Sequence, residues 1–376
     1  IPESWTQAAD DKGEVKYRLT DMMGLDPADD KTELTVEDTA VTDFVGKTPA
    51  KAWEMFMNQL TYSEMQKLTR TGFFKTAELA RFGKEEAVDA DGPCTIGNQT
   101  KDGYQHQRGR SGTRYWVSSQ NLAMTYNVDL VYRIGKLIGE EGMWNGYNGW
   151  YAPSMNIHRS PFSGRNFEYY SQDGVQGGLI VAALLQGTNQ GGVYPYCKHF
   201  ALNDQETARN NSSVWADEQT IRENYLRNYE YAVVEGGATG IMTGFNRIGM
   251  ANNTEHYALQ TQILRNEWGF DGSVVTDYQV GSVGGLDNNI EVFLRAGINI
   301  PLGDKGFTGD GKWDATLRGG KGGVKVGKFN KETKTYSETE FISMDSTNAA
   351  EKKQAEIQYY YMRTRAMEML YTHARS

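Results

Sequence analysis

The sequence predicts an α/β fold built on a parallel sheet, either closed into a (β/α)8-type barrel or doubly wound. Three observations predict it. The chain has 376 residues, which is long for one ordinary domain but normal for a barrel of alternating strands and helices. Six short apolar runs that end in polar residues are typical of strands, and helical patterns separate them. Because six convincing strands are fewer than eight, the predicted barrel is irregular or incomplete.

The chain divides into an arm and one large domain. Residues 1–47 are acidic, rich in Asp and Thr, and aperiodic, which indicates a linker or a wrap-around arm rather than an independent domain. Residues 48–376 form the predicted barrel domain. Within it, residues 305–345 are rich in Gly, Lys and Thr and are predicted to be a long loop or hairpin, and residues 348–374 are predicted to be a closing helix.

The first two helices have clear start signals. Thr48 is placed to cap a helix whose first position is Pro49. Thr61 and Glu64 have the spacing of a capping box, and Gly72 follows as a stop signal. Two helices therefore open the barrel domain before its first strand.

Strands and helices then alternate. Residues 217–237 place apolar side chains on one helical face, ending at Gly236, and residues 256–269 form a second helical pattern that leads into the fifth strand. The predicted strands are residues 86–93, 149–159, 193–203, 239–247, 272–278 and 296–303.

Composition excludes several function classes. A net charge of −9 argues against nucleic acid as a partner, since such binding needs a basic face. Cys94 and Cys197 belong to no Cys/His ligand cluster, so we expect no metal and no cofactor, and two buried free thiols are favoured over one disulfide. No apolar run approaches the roughly 20 residues of a membrane span. The start of the chain has no signal-peptide pattern and lacks Met, so cytoplasmic and secreted locations both stay open.

Polar residues follow five successive predicted strands. In a parallel barrel the carboxyl ends of the strands face the active site. Each residue alone has an ordinary structural explanation, such as a turn signal or a helical ion pair. Their coincidence on five strands indicates a functional site. In chain order the residues are Asp89, Asp91, Asn156, His158, Arg159, Arg165, Glu168, Lys198, His199, Asn246, Arg247 and Asp277.

This mixture of groups suits a polyol ligand. Asp91 can accept hydrogen bonds from two sugar hydroxyls, while Arg165, Lys198 and His199 can donate. A carboxylate held among cations is expected to have a lowered pKa, so Asp277 would be ionised and fit for nucleophilic attack. A retaining glycosidase requires this of one of its two carboxyl groups.

Five motifs in order resemble a known family. "DADGP", "NIHRSPFSGRNFEYYSQD", "CKHFALNDQE", "IMTGFNRIG" and "LRNEWGFDGSVVTDY" are similar to the barrel domain of glycoside hydrolase family 3, in its β-glucosidase branch. The resemblance covers about residues 48–303 and implies a TIM-like barrel, irregular or incomplete here.

The resemblance also implies roles for individual residues. Asp277 would be the catalytic nucleophile. Asp91 would bind the hydroxyls farthest from the reacting carbon, and Glu168 would orient Arg165 or its neighbours. The other implied substrate-binding residues are Arg165, Lys198, His199 and Tyr278, and the other supporting residues are Arg159 and Phe245.

Two residues near the nucleophile depart from the family pattern, and one loop bears on the branch. Tyr278 stands after the nucleophile where Trp is frequent, and Phe245 stands where a Tyr is usual, which removes a hydroxyl that could reach the nucleophile. The N-acetylglucosaminidase branch has a histidine-containing loop after its "KHF" motif; residues 201–214 contain no His, so that branch is disfavoured.

The resemblance also implies where the general acid/base residue lies. In β-glucosidase-type members it is a Glu on an α/β sandwich domain, which we expect in a second chain or a missing segment, because the acidic arm resembles the linker of members with inverted domain order. The expected function is a retaining, exo-acting β-glucosidase. The alternatives are a β-xylosidase or α-arabinofuranosidase of the same family, or a sugar-binding barrel with little activity alone. Asp91 favours a hexose, because a hexose offers it two hydroxyls.

Overall fold

The fold is a curled, incomplete α/β barrel. The computed structural model describes residues 2–6, 8, 13–70, 72, 74–96, 115–210, 212–278, 290–302, 317–320, 323–330, 335–343 and 346–375. The helices are α1 Pro49–Met57, α2 Tyr62–Arg70, α3 Ser119–Met124, α4 Val128–Trp144, α5 Gly174–Gln190, α6 Glu218–Thr220, α7 Arg227–Val234, α8 Ile290–Ala296 and α9 Ala349–Ala374. The strands are β1 Lys75–Thr76, β2 Ala87–Asp91, β3 Gly149–Tyr151, β4 Tyr194–Phe200, β5 Ser213–Val214, β6 Gly240–Thr243, β7 Arg247–Ile248, β8 Ala251–Asn252, β9 Ser273–Val275, β10 Leu317–Gly320, β11 Gly323–Asn330 and β12 Thr335–Ser343.

The main sheet has six strands in the order β1-β2-β3-β4-β6-β9. The last five are parallel, while β1 pairs antiparallel with β2. The prediction of a parallel, barrel-type sheet is confirmed. The sixth predicted strand covers residues 296–303, of which 296–302 are described; in that part it forms a single bridge, between Ile300 and Val275. The sixth strand of the sheet is instead β1, at the opposite edge.

The predicted helix starts are also present. The Thr48 hydroxyl accepts a hydrogen bond from the Lys51 amide at 3.3 Å, with Pro49 in the first turn. Thr61 and Glu64 form a reciprocal capping box, with amide-to-side-chain distances of 2.8 and 3.1 Å. Local sequence therefore fixes where α1 and α2 begin.

Two predicted helices differ in type. Residues 217–237 form α6, a π-helical turn at Ile221–Tyr225, and then α7. The pattern over residues 256–269 becomes a π-helix at Ala258–Glu267. Apolar spacing marks the buried face of a helix but does not distinguish the i→i+5 from the i→i+4 hydrogen-bond pattern, so the sequence could predict the helices and not their winding.

Helices α4 and α5 pack closely on the outside of the sheet. A Cβ at Gly135 would lie 2.3 Å from the Leu184 carbonyl oxygen, and one at Gly187 would lie 2.1 Å from the Tyr132 carbonyl oxygen. Only glycine allows these two helix backbones to approach so closely.

The amino-terminal arm packs on the barrel. Its buried apolar side chains, among them Leu19, Met22 and Phe44, belong to the same hydrophobic core as α1 and the sheet. The indole N–H of Trp53 donates to the Leu25 carbonyl at 2.8 Å. The boundary between arm and domain at residue 47 stays a prediction.

The segment predicted as a loop or hairpin contains more strand than expected. In its described part, β10, β11 and β12 form a three-stranded antiparallel sheet. The rest of the predicted loop lies outside the described residues. Helix α9 follows and packs against α2 and β12.

The two cysteines are free thiols. Cys197 is buried in β4, as expected, whereas Cys94 is only half-buried. The expectation of two buried thiols is therefore wrong for Cys94, because the turn after β2 leaves it near the surface.

Candidate functional site

The ends of β2 and β4 bring Asp91 and Lys198 into contact. The Lys198 ammonium lies 2.6 Å from Asp91 Oδ1, which also accepts the Gly92 amide at 2.8 Å. Burial alone would raise the pKa of Asp91, but the charge and hydrogen bond of Lys198 outweigh it, so the pKa is lowered. The Lys198 side chain is 3% exposed and that of Asp91 is 35% exposed. Asp91 thus presents an ionised, partly accessible acceptor.

His199 on β4 faces Asp277, which follows β9, across the intervening strand β6. His199 Nε2 lies 3.3 Å from Asp277 Oδ2, and the Tyr278 amide donates to Asp277 Oδ1 at 2.7 Å. Among the described residues, Asp277 Oδ2 and His199 Nδ1 are buried and receive no hydrogen bond. Asn156 fixes the His199 backbone from both sides, at 2.9 and 3.0 Å. A buried carboxylate oxygen therefore lies beside the His199 ring without a hydrogen bond in the described structure.

The charge state of this pair differs from the sequence expectation. Burial raises the pKa of Asp277, and the charges of Arg209, Arg165 and Lys198 together with the Tyr278 amide oppose this only in part. The predicted lowering of the Asp277 pKa is wrong, because counting cations along the sequence ignores desolvation. Burial, followed by those three cations, places the pKa of His199 well below its usual value, so its imidazole is neutral.

Arg165 is anchored by Glu168. Its Nε binds Glu168 Oε1, and Glu168 Oε2 accepts the Ser154 hydroxyl at 2.7 Å. Burial opposes the charged form of Arg165, but Glu168 more than compensates and raises the arginine pKa. Glu168 is 1% exposed and both of its oxygens are occupied, one by Arg165 and one by Ser154. Its role in orienting Arg165 stays a prediction.

Three other predicted residues lie at the margin of this arrangement. The Arg159 guanidinium lies 5.8 Å from the ring centre of Tyr225 and is not joined to the other predicted residues by a described contact. Phe245 follows β6 and is half-buried, and its ring lies 4.6 Å from the Arg209 guanidinium. Tyr278 is half-buried and its ring packs against the core.

Asp89 lies away from these residues, although it shares β2 with Asp91. Its carboxylate accepts the hydroxyls of Tyr151 and Tyr194, each at 3.0 Å. Burial raises the pKa of Asp89 to about 6 against these hydrogen bonds. A Cβ at Gly149 would lie 2.2 Å from the carboxylate, so glycine leaves room for it. Asp89 is therefore a structural acid, because residues two apart on a strand differ in depth along the barrel.

Sequence reasoning missed Glu206 and Arg209. Glu206 Oε1 lies 3.6 Å from Arg165 Nη1 and 3.3 Å from Arg209 Nη1. The signal for Glu206 was present, since it is the last residue of "CKHFALNDQE". Arg209 lies just beyond that motif in an irregular loop, and no strand end marked it.

No metal centre or membrane span is evident in the described ranges. There, no three His, Cys, Asp or Glu side chains lie close enough to hold a metal ion together. No helix of the described part has the length and apolar character needed to cross a bilayer.

Residues 74–332 match the family model for the glycosyl hydrolase family 3 N-terminal domain. Among curated proteins, β-glucosidase A of Butyrivibrio fibrisolvens is 37% identical over 205 residues, covering 54% of this chain and 24% of that protein. The thermostable β-glucosidase B of Acetivibrio thermocellus is 32% identical over 240 residues, which cover 63% of this chain and 32% of that protein. This chain therefore spans about a quarter to a third of the length of these relatives.

Solved structures agree with these matches. β-Glucosidase 3B from Thermotoga neapolitana, in complex with glycerol, superposes with a TM-score of 0.65 at 28% identity, covering 86% of this chain and 42% of that chain. A β-glucosidase from Paenibacillus barengoltzii gives a TM-score of 0.68 at 26% identity, covering 100% of this chain and 36% of that chain.

Proposed function

Because this chain belongs to glycosyl hydrolase family 3, we propose that it is the barrel domain of a retaining, exo-acting β-glucosidase with Asp277 as its nucleophile. One observation carries the proposal: at the carboxyl end of β9, Asp277 Oδ2 is buried, lies 3.3 Å from a neutral His199 and accepts no hydrogen bond within the described structure. A carboxylate oxygen with a free lone pair can attack an anomeric carbon.

The proposed reaction begins with that attack. Asp277 Oδ2 forms a bond to the anomeric carbon while the bond to the glycosidic oxygen breaks, and the leaving oxygen takes a proton from the general acid. Water then gives a proton to the same residue, now acting as base, and attacks the anomeric carbon from the face of the departed group. The bond from that carbon to Asp277 Oδ2 breaks and the carboxylate is regenerated. Because burial disfavours the ionised carboxylate, Arg165, Lys198 and Arg209 are needed to keep it available as a nucleophile.

The remaining predicted residues bind the sugar in this proposal. Asp91 accepts hydrogen bonds from the two hydroxyls farthest from the anomeric carbon, and the Lys198 ammonium donates to one of them. His199 and the guanidinium of Arg165 donate to the hydroxyls nearer the reacting carbon. The Tyr278 ring flanks the glycosyl unit next to the nucleophile.

The general acid is proposed to come from an α/β sandwich domain, in a second chain or another segment. Three nearby carboxylates are already engaged: Asp91 by Lys198, Glu168 by Arg165 and Ser154, and Glu206 by two arginines. A carboxylate bound to cations is a poor proton donor. The match to an N-terminal domain of longer relatives supports the same location.

Mechanism-based labelling tests this function. A 2,4-dinitrophenyl 2-deoxy-2-fluoro-β-D-glucoside has a leaving group that needs little protonation, so the chain should react without its acid. We expect one fluoroglucosyl adduct, located on Asp277 by peptide mass spectrometry, and no adduct in Asp277→Ala. The control is Asp271→Asn, whose carboxylate pairs with Arg375 at 2.7 Å; it should label like the natural protein. An adduct on any other residue refutes the assignment.

The same assay separates the alternatives. Faster labelling by the fluoroxyloside than by the fluoroglucoside would indicate a β-xylosidase, and the two-hydroxyl role of Asp91 would then be wrong. Binding of glucose by calorimetry with no labelling by any fluoroglycoside would indicate a sugar-binding barrel that has little activity alone.

A further inference from the structure

Three consecutive residues in the loop after β3 meet Glu206, which lies in the loop after β4. The Glu206 amide donates to the Ser163 carbonyl at 3.1 Å. Gly164 has a φ of +90°, and a Cβ on it would lie 3.1 Å from Glu206 Cγ. Arg165 Nη1 lies 3.6 Å from Glu206 Oε1. The two loops are therefore joined at Glu206 by a backbone hydrogen bond, by packing and by an ion pair.

Glu206 is also held from its other side. Its Oε1 lies 3.3 Å from Arg209 Nη1, and the Arg209 amide donates to the Glu206 carbonyl at 3.2 Å. The Arg209 guanidinium in turn lies 4.6 Å from the ring centre of Phe245. Because these contacts restrict the Glu206 side chain beforehand, its pair with Arg165 does not bear the full entropy cost of ordering two free side chains.

The guanidinium of Arg165 thus lies between two carboxylates. Glu168 Oε1 binds its Nε, and Glu206 Oε1 lies beside its Nη1. The Glu168 side chain is 1% exposed and that of Glu206 is 35% exposed, so one carboxylate lies on the interior side and the other on the open side. Within the described structure Nε donates a hydrogen bond and Nη2 does not. A planar guanidinium held at Nε and Nη1 has a defined orientation, which leaves Nη2 as the nitrogen that can donate to a ligand.

Building on the proposed function, we propose that Glu206 is a positioning residue for Arg165, which it holds on the side opposite Glu168 so that Nη2 donates to a hydroxyl of the glycosyl unit. In this role Glu206 needs no contact with the sugar, because its effect passes through Arg165. Loss of Glu206 should therefore weaken sugar binding, and it should have no further effect once the Arg165 guanidinium is gone.

Release of dinitrophenolate from 2,4-dinitrophenyl β-D-glucoside measures this effect. The substrate keeps every sugar hydroxyl, and its leaving group needs little protonation, so the chain should give one rapid turnover. The dependence of the burst rate on substrate concentration separates the dissociation constant from the rate constant of the chemical step. We expect Glu206→Ala to raise the dissociation constant about 3- to 10-fold, and Glu206→Gln, which keeps an oxygen acceptor, to raise it less.

A double-mutant cycle tests whether Glu206 acts through Arg165. Arg165→Met should raise the dissociation constant about 10- to 100-fold, because it removes a hydrogen bond from a charged donor. Adding Glu206→Ala to Arg165→Met should then change the dissociation constant by less than about twofold. If the two substitutions have additive effects instead, Glu206 acts independently of Arg165 and the proposal is overturned.

Gly164→Ala disturbs the same contact without removing a charge. Alanine is strained at a φ of +90°, and its Cβ would press on Glu206 Cγ, so the dissociation constant should rise about as much as in Glu206→Ala. The control is Glu230→Ala on α7, whose carboxylate is 36% exposed and pairs with Arg227 at 2.8 Å. It should leave the dissociation constant unchanged, and urea denaturation checks that every variant is folded.

The outcomes separate this role from the proposed function. Absence of both the burst and the labelling of Asp277 in the natural protein would refute the proposed function. A burst in the natural protein, with the same dissociation constant in Glu206→Ala as in Glu230→Ala, would refute the role of Glu206 alone.

Discussion

Glu368 is the centre of a buried ionic cluster at the start of β9. Its Oε2 lies 2.9 Å from Arg365 Nη1, 3.1 Å from Arg265 Nη2 and 2.7 Å from the Asn299 amide nitrogen. The side chains of Arg365 and Arg265 are 6% and 8% exposed. One carboxylate thus balances two guanidinium groups out of contact with water.

This cluster also holds the backbone that leads to Asp277. Arg265 donates to the carbonyls of Gly272 and Gly297 at 3.2 and 2.9 Å, and to the Asn299 side-chain oxygen at 2.9 Å. The same Asn299 oxygen accepts the Val274 amide at 2.7 Å. The chain entering β9 is therefore fixed by Arg265, from the π-helix Ala258–Glu267, and by Asn299, and Glu368 of α9 contacts both.

We predict that Glu368→Gln lowers the free energy of unfolding by about 3–5 kcal/mol, the usual cost of removing one partner from a buried ion pair. Glutamine has nearly the same volume, so no cavity contributes. Burial already lowers the pKa of Arg265 to about 9, with Glu368 opposing that shift. Without the carboxylate, two desolvated cations face each other.

Urea denaturation followed by tryptophan fluorescence measures this loss. The control is Glu218→Gln, which removes an exposed pair between Glu218 and Arg222 on one helix. Such pairs contribute about 0.3–0.5 kcal/mol. If Glu368→Gln lowers the free energy of unfolding no more than Glu218→Gln does, the cluster is not a desolvated group of charges that depends on Glu368, and the reasoning is refuted.

Two further predictions concern Asp89 and Thr61. Burial raises the pKa of Asp89 in the folded state to about 6 from 3.8. Between these two pH values the folded state therefore binds more protons than the unfolded state. The free energy of unfolding of the natural protein, compared with that of Asp89→Asn, should fall by up to about 3 kcal/mol as the pH rises from about 4 to 6. Urea denaturation of both proteins at pH 4, 5, 6 and 7 checks this, and a pH-independent difference would contradict it. Thr61→Ala should lower the free energy of unfolding by about 1 kcal/mol, because the Thr61 hydroxyl accepts a hydrogen bond from the Glu64 amide at 3.1 Å. The comparison is Thr32→Ala, at an exposed position of the arm. Equal losses of stability in thermal denaturation would count against the capping box.

The sequence could predict which residues meet at the site because strand order determines it. Asp91 ends β2, Lys198 lies in the last residues of β4 before Phe200, and Asp277 comes shortly after β9. Parallel strands of one barrel sheet place their carboxyl ends on the same side. The contact between Lys198 and Asp91 and that between His199 and Asp277 each join strands that are two apart in the sheet. The apolar pattern marks the strands and their ends, whereas the curl of the sheet that brings these ends together is seen only in the structure.

The sequence could not predict the path of the loop that carries Arg209 or the loss of water around Asp277. Arg209 reaches the site because its loop turns back at Glu206, whose amide donates to the Ser163 carbonyl at 3.1 Å. No local pattern specifies such a long-range contact. The pKa direction of Asp277 failed for a related reason: the sequence shows the number of nearby cations, whereas the loss of water depends on the packing of the whole site.

The two ends of the sheet show why burial alone does not mark a catalytic acid. At the end where the strands begin, the Lys84 ammonium donates to Thr76 Oγ1, the Ala77 carbonyl and the Glu85 carbonyl, so all three of its donors are used. Asp89 is likewise satisfied by two tyrosine hydroxyls. Both groups are as buried as Asp277 and have shifted pKa values. Asp277 differs in keeping a buried oxygen without a hydrogen bond in the described structure, and an unsatisfied buried acceptor is costly unless something binds it. Incomplete hydrogen bonding thus distinguishes Asp277 from Lys84 and Asp89.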